Sequence, residues 1–181
     1  MKKILSVAAL FTLAAGSVLS AASAPEPQVS VREESGVYTV SATFGVSQAP
    51  SAAVAVLTDY ERIPRFMPEV RTSHVLERTD GRAVVEQEAV ARFMMFSKSI
   101  HLVLEIQEQE GAIRFQDRCG RNFSRYDGSW TTAERDGYTA ITYELSAKPS
   151  FDVPEFLLKS LLKRDASRMI ERLQREIAAR D

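Results

Sequence analysis

The chain has 181 residues, of which 45% are hydrophobic and 26% charged, and its formal net charge is −1 at pH 7. This length and composition suit one domain with a sizeable core. The near-neutral charge and the lack of a block of like charge argue against a nucleic-acid partner. Cys119 is the single cysteine, which excludes an internal disulfide. We expect it to be a small buried residue, with an exposed thiol as the alternative.

The first segment has the three parts of a secretory signal peptide. Two lysines precede an apolar run at residues 4–19, and small residues follow up to Ala24. Because that run is shorter than the roughly 20 residues of a membrane-spanning helix, we predict a cleaved signal at 1–24 and a periplasmic or secreted protein. Small residues at the required spacing allow cleavage after Ala22 or after Ala24, and Pro25 disfavours the second site.

The next elements are a predicted hairpin and a short helix. Residues 37–46 (VYTVSATFGV) alternate as a half-buried strand does. The preceding QVSVREESG is its predicted hairpin partner, with Gly36 at the turn. In APSAAVAVLTDYERI, Pro50 suits the first helical position, and apolar residues recur at spacings of three and four.

Two prolines interrupt the stretch that follows, DYERIPRFMPEV. Pro64 and Pro68 each remove a backbone donor and disfavour the α region for the preceding residue, Ile63 or Met67. We therefore expect two short pieces in place of one long helix. Phe66 and Met67 are then either ordinary core residues or the inner lining of a lid.

Six antiparallel strands are predicted after Pro68. Asp80-Gly81 and Asp136-Gly137 mark two hairpin turns. The second strand of the first hairpin is predicted to continue through ARFMMF. Alternating apolar and polar residues along these segments predict a meander with one polar face.

The chain ends in a long amphipathic segment, residues 154–180, with neither glycine nor an interior proline. Such a helix either lies on a membrane surface or covers a sheet, and we predict that it covers the sheet. The fold class is therefore α+β, with a cavity where the helix does not fill the concave face. The apolar stripe of the helix comprises Leu158, Leu161, Leu162, Ala166, Met169, Ile170, Leu173 and Ile177.

Three segments, in order, resemble the START-like SRPBCC superfamily: VLTDYERIPRFMPEV, YDGSW and FDVPEFLLKSLLKRDASRMIERLQREI. They are most similar to its polyketide cyclase/dehydrase and coenzyme Q-binding protein branch, which also includes the ribosome-association toxin family. The resemblance implies one helix-grip domain at 25–181, a curved antiparallel β-sheet wrapped around the C-terminal helix, with a hydrophobic cavity between them. It also implies that the broken helical segment helps to close this cavity.

The predicted ligand-binding residues are those expected to face the cavity, although the same side chains would also suit a plain core. Gly128 leaves room for a strand bend or a bound group. Gln87 is polar in an apolar inward row and needs a partner if buried. The hydroxyls of Tyr126 and Tyr143 would be polar handles in an apolar pocket. The full set is Phe66, Met67, Gln87, Ala91, Phe93, Met95, Phe115, Tyr126, Trp130, Tyr143, Leu158 and Leu162.

The sequence names no catalytic or metal site. His74 and His101 are the two histidines, and neither has a second ligand at a usable spacing. His101 falls on the polar face of its strand, where we expect it to be exposed. Nucleophile motifs and Gly-rich phosphate loops are also missing from the sequence. We therefore predict no catalytic residue, no cofactor and no metal.

Three classes of function are compatible with this sequence. The favoured one is a periplasmic binding or carrier protein for a hydrophobic small molecule, such as a lipid, a quinone or a polyketide-like compound. The alternatives are a cyclase/aromatase-type enzyme, whose cavity would fold a reactive chain, and a protein-interaction module of the cell envelope. The expected partner is an apolar ligand, with transient membrane or envelope-protein contact.

Overall fold

The computed structural model describes residues 24–93 and 96–180 of the protein. These residues form eight β-strands, three α-helices and a 3₁₀ turn at Tyr60–Arg62. The helices are α1 (Pro50–Leu57), α2 (Ile63–Phe66) and α3 (Glu155–Ala178). The strands are β1 (Gln28–Glu34), β2 (Val37–Val46), β3 (Val70–Thr79), β4 (Arg82–Phe93), β5 (Phe96–Gln109), β6 (Ala112–Asp117), β7 (Phe123–Arg135) and β8 (Tyr138–Pro149).

The strands form one antiparallel sheet in the order β1-β2-β8-β7-β6-β5-β4-β3. Strands β3 to β8 form a meander, in which each strand pairs with the next one along the chain. Strand β2 pairs with β8, so β1 and β3 are the two edges of the sheet. Helices and sheet are segregated, which confirms the predicted α+β class.

The predicted turns are also confirmed. Ser35 and Gly36 join β1 to β2 with positive φ values of 54° and 79°, as the favoured two-residue hairpin turn requires. The Gly36 N–H donates to Glu33 Oε1 at 2.7 Å. Asp80-Gly81 and Asp136-Gly137 likewise separate consecutive strands.

The hydrophobic core lies between α3 and the inner face of the sheet. Phe44, Ile141, Ile170 and Ile177 are each 0% exposed. Helix α3 packs on β1 and β2 and against α1, so its apolar stripe covers the sheet as predicted. None of the helices in the described part of the chain has the length and apolar character of a membrane-spanning segment.

Two local predictions about strand and helix ends are wrong. Phe96 does not extend β4, because it begins β5 and pairs with Phe93; the apolar residues of both arms had resembled one strand. Ile63 is α-helical, with φ −48° and ψ −44°. Pro64 lies in the first turn of α2. A backbone N–H there would have no intrahelical acceptor, so its absence in proline costs the helix no hydrogen bond. Met67, at φ −116° and ψ 84°, lies outside the α region as predicted.

Cys119 is exposed, so the prediction of a buried residue is wrong and the alternative holds. It follows the end of β6, where the Asp117 carboxylate accepts hydrogen bonds from the backbone N–H groups of Val103, Cys119 and Gly120 at 2.9–3.2 Å. A turn organised by a carboxylate and backbone donors leaves the thiol at the surface.

Candidate ligand-binding cavity

A cavity of about 370 Å³ lies between the inner face of the sheet, α3, and the segment from α1 to the start of β3. We call residues 50–69 the cap. The volume is within the range of about 300–1,000 Å³ for small-molecule sites. Small side chains explain the unfilled space, since Ala89, Ala91, Ala147 and Ala166 face it from the sheet and from α3.

The cap closes one side of the cavity with Phe66 and Met67. Met67 also belongs to the buried core cluster, so the same side chain packs in the core and lies on the cavity lining. The cap is fixed to the sheet because the Tyr60 hydroxyl donates to Glu108 Oε1 at 2.8 Å. It is fixed to the turn that follows α3 because Arg180 Nη1 donates to Asp59 Oδ2 at 2.8 Å.

One side of the cavity is an aromatic wall made of Phe115, Tyr126, Trp130 and Tyr143. The Trp130 and Tyr143 ring centroids are 4.3 Å apart. Phe115 lies 6.4 Å from Tyr143 with nearly parallel rings, and 6.1 Å from Tyr126. Gly128 makes this arrangement possible, because a Cβ there would lie 2.6 Å from Phe115 Cζ and 2.3 Å from the Glu144 carbonyl oxygen. The space over Gly128 therefore holds the Phe115 ring, and neither a strand bend nor a ligand is needed to explain this glycine.

Two phenol groups of the aromatic wall are held neutral. Burial, with the nearby charge of Asp117, raises the pKa of Tyr126 to about 12. Burial also raises the pKa of Tyr143 well above its ordinary value. Both hydroxyls therefore keep their protons at neutral pH and can act as hydrogen-bond donors.

Gln87 contributes the amide of the lining. Its Nε2 donates to Ser73 Oγ on the paired strand β3 at 3.1 Å, and Ser73 is only 3% exposed. Gln87 is half-buried, and its amide nitrogen has a partner within the sheet.

An ion pair between Glu69 and Arg172 joins the cap to α3 at the lining of the cavity. Burial works against ionisation of Glu69, but the hydrogen bond and charge of Arg172 outweigh it and hold the pKa of this carboxyl below its ordinary value. Asp165 also lines the cavity, and Arg164 Nε donates to its Oδ1 at 3.0 Å. Sequence reasoning missed the Glu69–Arg172 pair because 103 positions separate its members.

A second depression, of about 420 Å³, lies on the opposite face of the sheet. Its lining is mostly polar, with charged side chains that include Glu105, Arg114, Asp127 and Glu144. We call it the outer groove. An open polar groove is ordinary for the solvated face of an antiparallel sheet, so the apolar cavity is the candidate site.

The chain matches the family model described as polyketide cyclase / dehydrase and lipid transport over residues 46–174. The protein belongs to this family. Comparison with curated proteins finds no match.

Solved structures with the same architecture place this family member in the START-like fold. A START superfamily protein from Mycobacterium smegmatis aligns with a TM-score of 0.67 and 18% identity over 78% of this chain and 97% of that one. The Zhui aromatase/cyclase from Streptomyces sp. R1128 aligns with a TM-score of 0.67 and 12% identity over 80% of this chain and 95% of that one. A STAR-related lipid transfer protein from Xanthomonas axonopodis aligns with a TM-score of 0.61 and 17% identity over 83% of this chain and 98% of that one. The predicted helix-grip fold and superfamily are confirmed.

Most of the predicted binding residues lie on the cavity lining of this START-like domain. Leu158 does not, because it packs with Tyr38 and Leu161 in a separate cluster. Met95 lies outside the described residues, and only the backbone of Phe93 is described, as the end of β4. Those on the lining are Phe66, Met67, Gln87, Ala91, Phe115, Tyr126, Trp130, Tyr143 and Leu162.

Other lining residues were not predicted as binding residues, and most of them lie on the strands, with the rest on the cap and α3. Periodicity along one element does not identify the residues of the cap or the charged residues of α3, because these converge only after the chain has folded. The lining residues that were not predicted include Val56, Tyr60, Ile63, Glu69, Val90, Asp165 and Arg172.

His101 lies outside the cavity lining. Its Nδ1 is 2.7 Å from Glu88 Oε1, and its Nε2 is 3.8 Å from Glu86 Oε1. The imidazole is 19% exposed and lies near two carboxylates, whereas we had expected it to be exposed. Within the described ranges, no group of three or more His, Cys, Asp or Glu side chains has the geometry of a metal site.

The Glu69–Arg172 pair predicts a pH-dependent contribution to stability. A carboxyl whose pKa is depressed on folding stabilises the protein above its unfolded pKa, about 4.3 for glutamate. That contribution is lost as the pH falls through the lower, folded pKa. Glu69→Gln should therefore be less stable than the wild type at neutral pH, by a modest amount because the pair is partly exposed.

Urea unfolding at a series of pH values, from neutral pH to below the pKa of glutamate, measures this effect. The difference in unfolding free energy between Glu69→Gln and the wild type should shrink with acidification. Glu134→Gln, which alters an exposed carboxylate of β7, is the control and should show little difference at any pH. A Glu69→Gln difference that stays constant across the range contradicts the proposed ion pair.

Proposed function

We propose that the protein binds a largely apolar small molecule in the cavity between the sheet and α3 and carries it without converting it. The observation that carries this proposal is the cavity of about 370 Å³, walled by apolar and aromatic side chains and closed by the cap. An apolar site with a few placed polar groups is the usual form of a small-molecule pocket. The description of the family, polyketide cyclase / dehydrase and lipid transport, agrees with this proposal.

The pKa shifts of three lining groups, Glu69, Tyr126 and Tyr143, favour binding over catalysis. General acid–base catalysis is most effective when a pKa lies near the operating pH. The pKa values of Tyr126 and Tyr143 are raised away from neutrality, and Arg172 favours the ionised form of Glu69. These groups can hold and orient a ligand, but they are poorly suited to exchange protons with it.

Trp130 provides a direct test, because it is the only tryptophan of the chain and it lines the cavity. The neutral dye N-phenyl-1-naphthylamine should bind saturably at one site, and excitation of Trp130 should transfer energy to the bound dye. If the folded protein takes up neither this dye nor a quinone, a fatty acid or a phospholipid, the proposal is wrong. A core that supports a protein-interaction surface would then be the better account.

We also propose that the protein is exported and that the signal is cleaved after Ala22. Ala24 and Pro25 pack closely over Gly45, where an added Cβ would lie 2.8 Å from Ala24 Cβ and 2.7 Å from Pro25 Cδ. A mature chain that begins at Ser23 keeps both contacts, which supports this site over cleavage after Ala24. N-terminal sequencing of the protein from a periplasmic fraction should read Ser-Ala-Pro, whereas a protein found in the cytoplasm with its N-terminus at Met1 or Lys2 contradicts export.

A further inference from the structure

We propose that the protein docks on an anionic lipid bilayer through a group of arginines beside the cavity. We call this group the arginine face, and its members are Arg92 of β4 and Arg164, Arg168, Arg172 and Arg175 of α3. The proposal concerns a surface and does not depend on which ligand the cavity takes. It rests on the proposed function only in that a bilayer is a source of apolar molecules.

The four arginines of α3 lie on one side of the helix. Because each residue of an α-helix turns the chain by about 100°, Arg164, Arg168 and Arg175 fall within about 40° of one another, and Arg172 lies about 40° beyond Arg168. Arg164, Arg168 and Arg175 are exposed. The apolar stripe of the same helix packs in the core, so the arginine side of α3 is available to a partner.

Strand β4 adds Arg92 to this group. The Nη2 of Arg164 donates to the carbonyl oxygen of Arg92 at 3.4 Å, so the end of β4 lies beside α3. The Arg92 side chain is also exposed. The arginine face therefore extends from the helix onto the sheet.

The arginine face is positively charged, whereas the chain as a whole has a formal net charge of −1. Its five guanidinium groups are accompanied by three carboxylates, those of Glu69, Asp165 and Glu171, which leaves a formal net charge of +2. On the opposite face of the sheet, the outer groove has three carboxylates and one guanidinium, a formal net charge of −2. An anionic surface therefore orients the protein with the arginine face towards it.

Three members of the arginine face are not neutralised within the protein. Arg92, Arg168 and Arg175 form no ion pair within residues 24–93 and 96–180. Arg164, Arg168 and Arg172 also follow one another at a spacing of four, at which like charges destabilise a helix. The helix dipole does not offset this effect at Arg168, which lies several turns before the end of α3. An anionic partner would relieve the repulsion.

The side chains of this region favour a bilayer over a soluble polyanion. Arginine suits phospholipid headgroups, because its planar guanidinium can donate two parallel hydrogen bonds to one phosphate. Phe156, in the first turn of α3, is 73% exposed. Exposed aromatic side chains on a basic helix are typical of helices that contact the headgroup region.

The arginine face adjoins a part of the cavity lining that reaches the surface. Glu69, Asp165 and Arg172 line the cavity, yet their side chains are 33%, 36% and 21% exposed. Arg92 directly follows Ala91, which also lines the cavity. Docking through the arginine face therefore places this rim of the cavity against the headgroup layer, where an apolar molecule can enter or leave.

Co-sedimentation with vesicles tests the proposal, using phosphatidylcholine alone and phosphatidylcholine mixed with phosphatidylglycerol. The wild-type protein should bind the mixed, anionic vesicles more strongly, and added salt should weaken this binding by screening the charges. Each basic residue near an anionic surface contributes about fivefold to binding, so the double variant Arg168→Gln/Arg175→Gln should bind about 25-fold more weakly. Neither side chain lines the cavity, and an unchanged melting temperature should show that the fold is kept.

Two further variants separate docking from a general effect of charge or structure. Arg82→Gln/Arg135→Gln removes two exposed arginines at the end of the sheet opposite Arg92, and it should bind nearly as the wild type does. Glu171→Gln removes a carboxylate of the arginine face and should tighten binding by about fivefold, which a damaged fold could not do. All proteins are prepared in the same form, so any binding through residues 1–22 is common to them.

Equal binding to the two kinds of vesicle, unchanged binding of Arg168→Gln/Arg175→Gln, or equal weakening in Arg82→Gln/Arg135→Gln overturns the proposal. Arginine-dependent binding to heparin without binding to vesicles also overturns it, and assigns the surface to a soluble polyanion. Uptake of N-phenyl-1-naphthylamine by Arg168→Gln/Arg175→Gln should match that of the wild type, so a failure of docking leaves the binding function in place. Docking by a wild-type protein that takes up no dye overturns the binding function alone.

Discussion

Replacing Ile170 by aspartate is expected to unfold the domain. Ile170 is 0% exposed in the middle of α3 and belongs to the main hydrophobic cluster. A carboxylate there would be buried without a charged partner, which typically costs several kcal/mol. Since a domain of this size is stable by about 5–15 kcal/mol, we expect most of the native circular dichroism signal and the cooperative urea transition to be lost.

Two further variants make the Ile170 result interpretable. Ser160→Asp places the same side chain on an exposed position of α3 and should change the unfolding free energy by no more than about 0.5 kcal/mol. Ile170→Ala should fold but lose about 2–5 kcal/mol through the cavity that it leaves. An Ile170→Asp protein that is soluble and melts at the wild-type temperature refutes the packing of α3 through this face.

Enlarging Ala91 to tryptophan is expected to abolish ligand binding while leaving the protein folded. Ala91 lies on β4 and faces the cavity from a half-buried position. An indole projecting from it would occupy much of the space that a ligand needs. The neighbouring volume is empty, so the change in stability should not exceed the overpacking penalty of about 1–3 kcal/mol.

Calorimetric titration with the neutral dye measures the effect of Ala91→Trp without interference from a second tryptophan. Ala133→Trp adds the same side chain at an exposed position of β7 and should bind the dye as the wild type does. Unchanged affinity in a folded Ala91→Trp protein would show that the ligand does not enter this cavity.

Local physical rules predict most of the fold of this protein. The alternation of apolar and polar residues predicted a strand at residues 37–46, which is β2 in the structure. The preference of proline for the first turn of a helix predicted that α1 begins at Pro50, as it does. Both signals involve neighbouring residues only. They fail at Phe96 because an apolar strand end and an apolar strand start that are close in sequence have the same alternation as one longer strand.

The candidate site was predicted less completely, because it depends on contacts between distant residues. Leu158 and Leu162 are one helical turn apart on the same apolar stripe, yet only Leu162 reaches the cavity. Which of them does so depends on how the curved sheet lies beneath α3. The filling of the space over Gly128 by Phe115, and the pairing of Glu69 with Arg172, likewise arise from the tertiary arrangement.

The most direct test of the central claim is a methyl-detected NMR titration of the wild-type protein with 2,3-dimethylnaphthalene. We predict saturable shifts at methyl groups that face the cavity, those of Ala91, Leu102 and Leu104. The methyl groups of Val103, on the opposite face of β5, should change little. Shifts confined to residues around the outer groove, or no shifts at all in the folded protein, would contradict an internal apolar binding site.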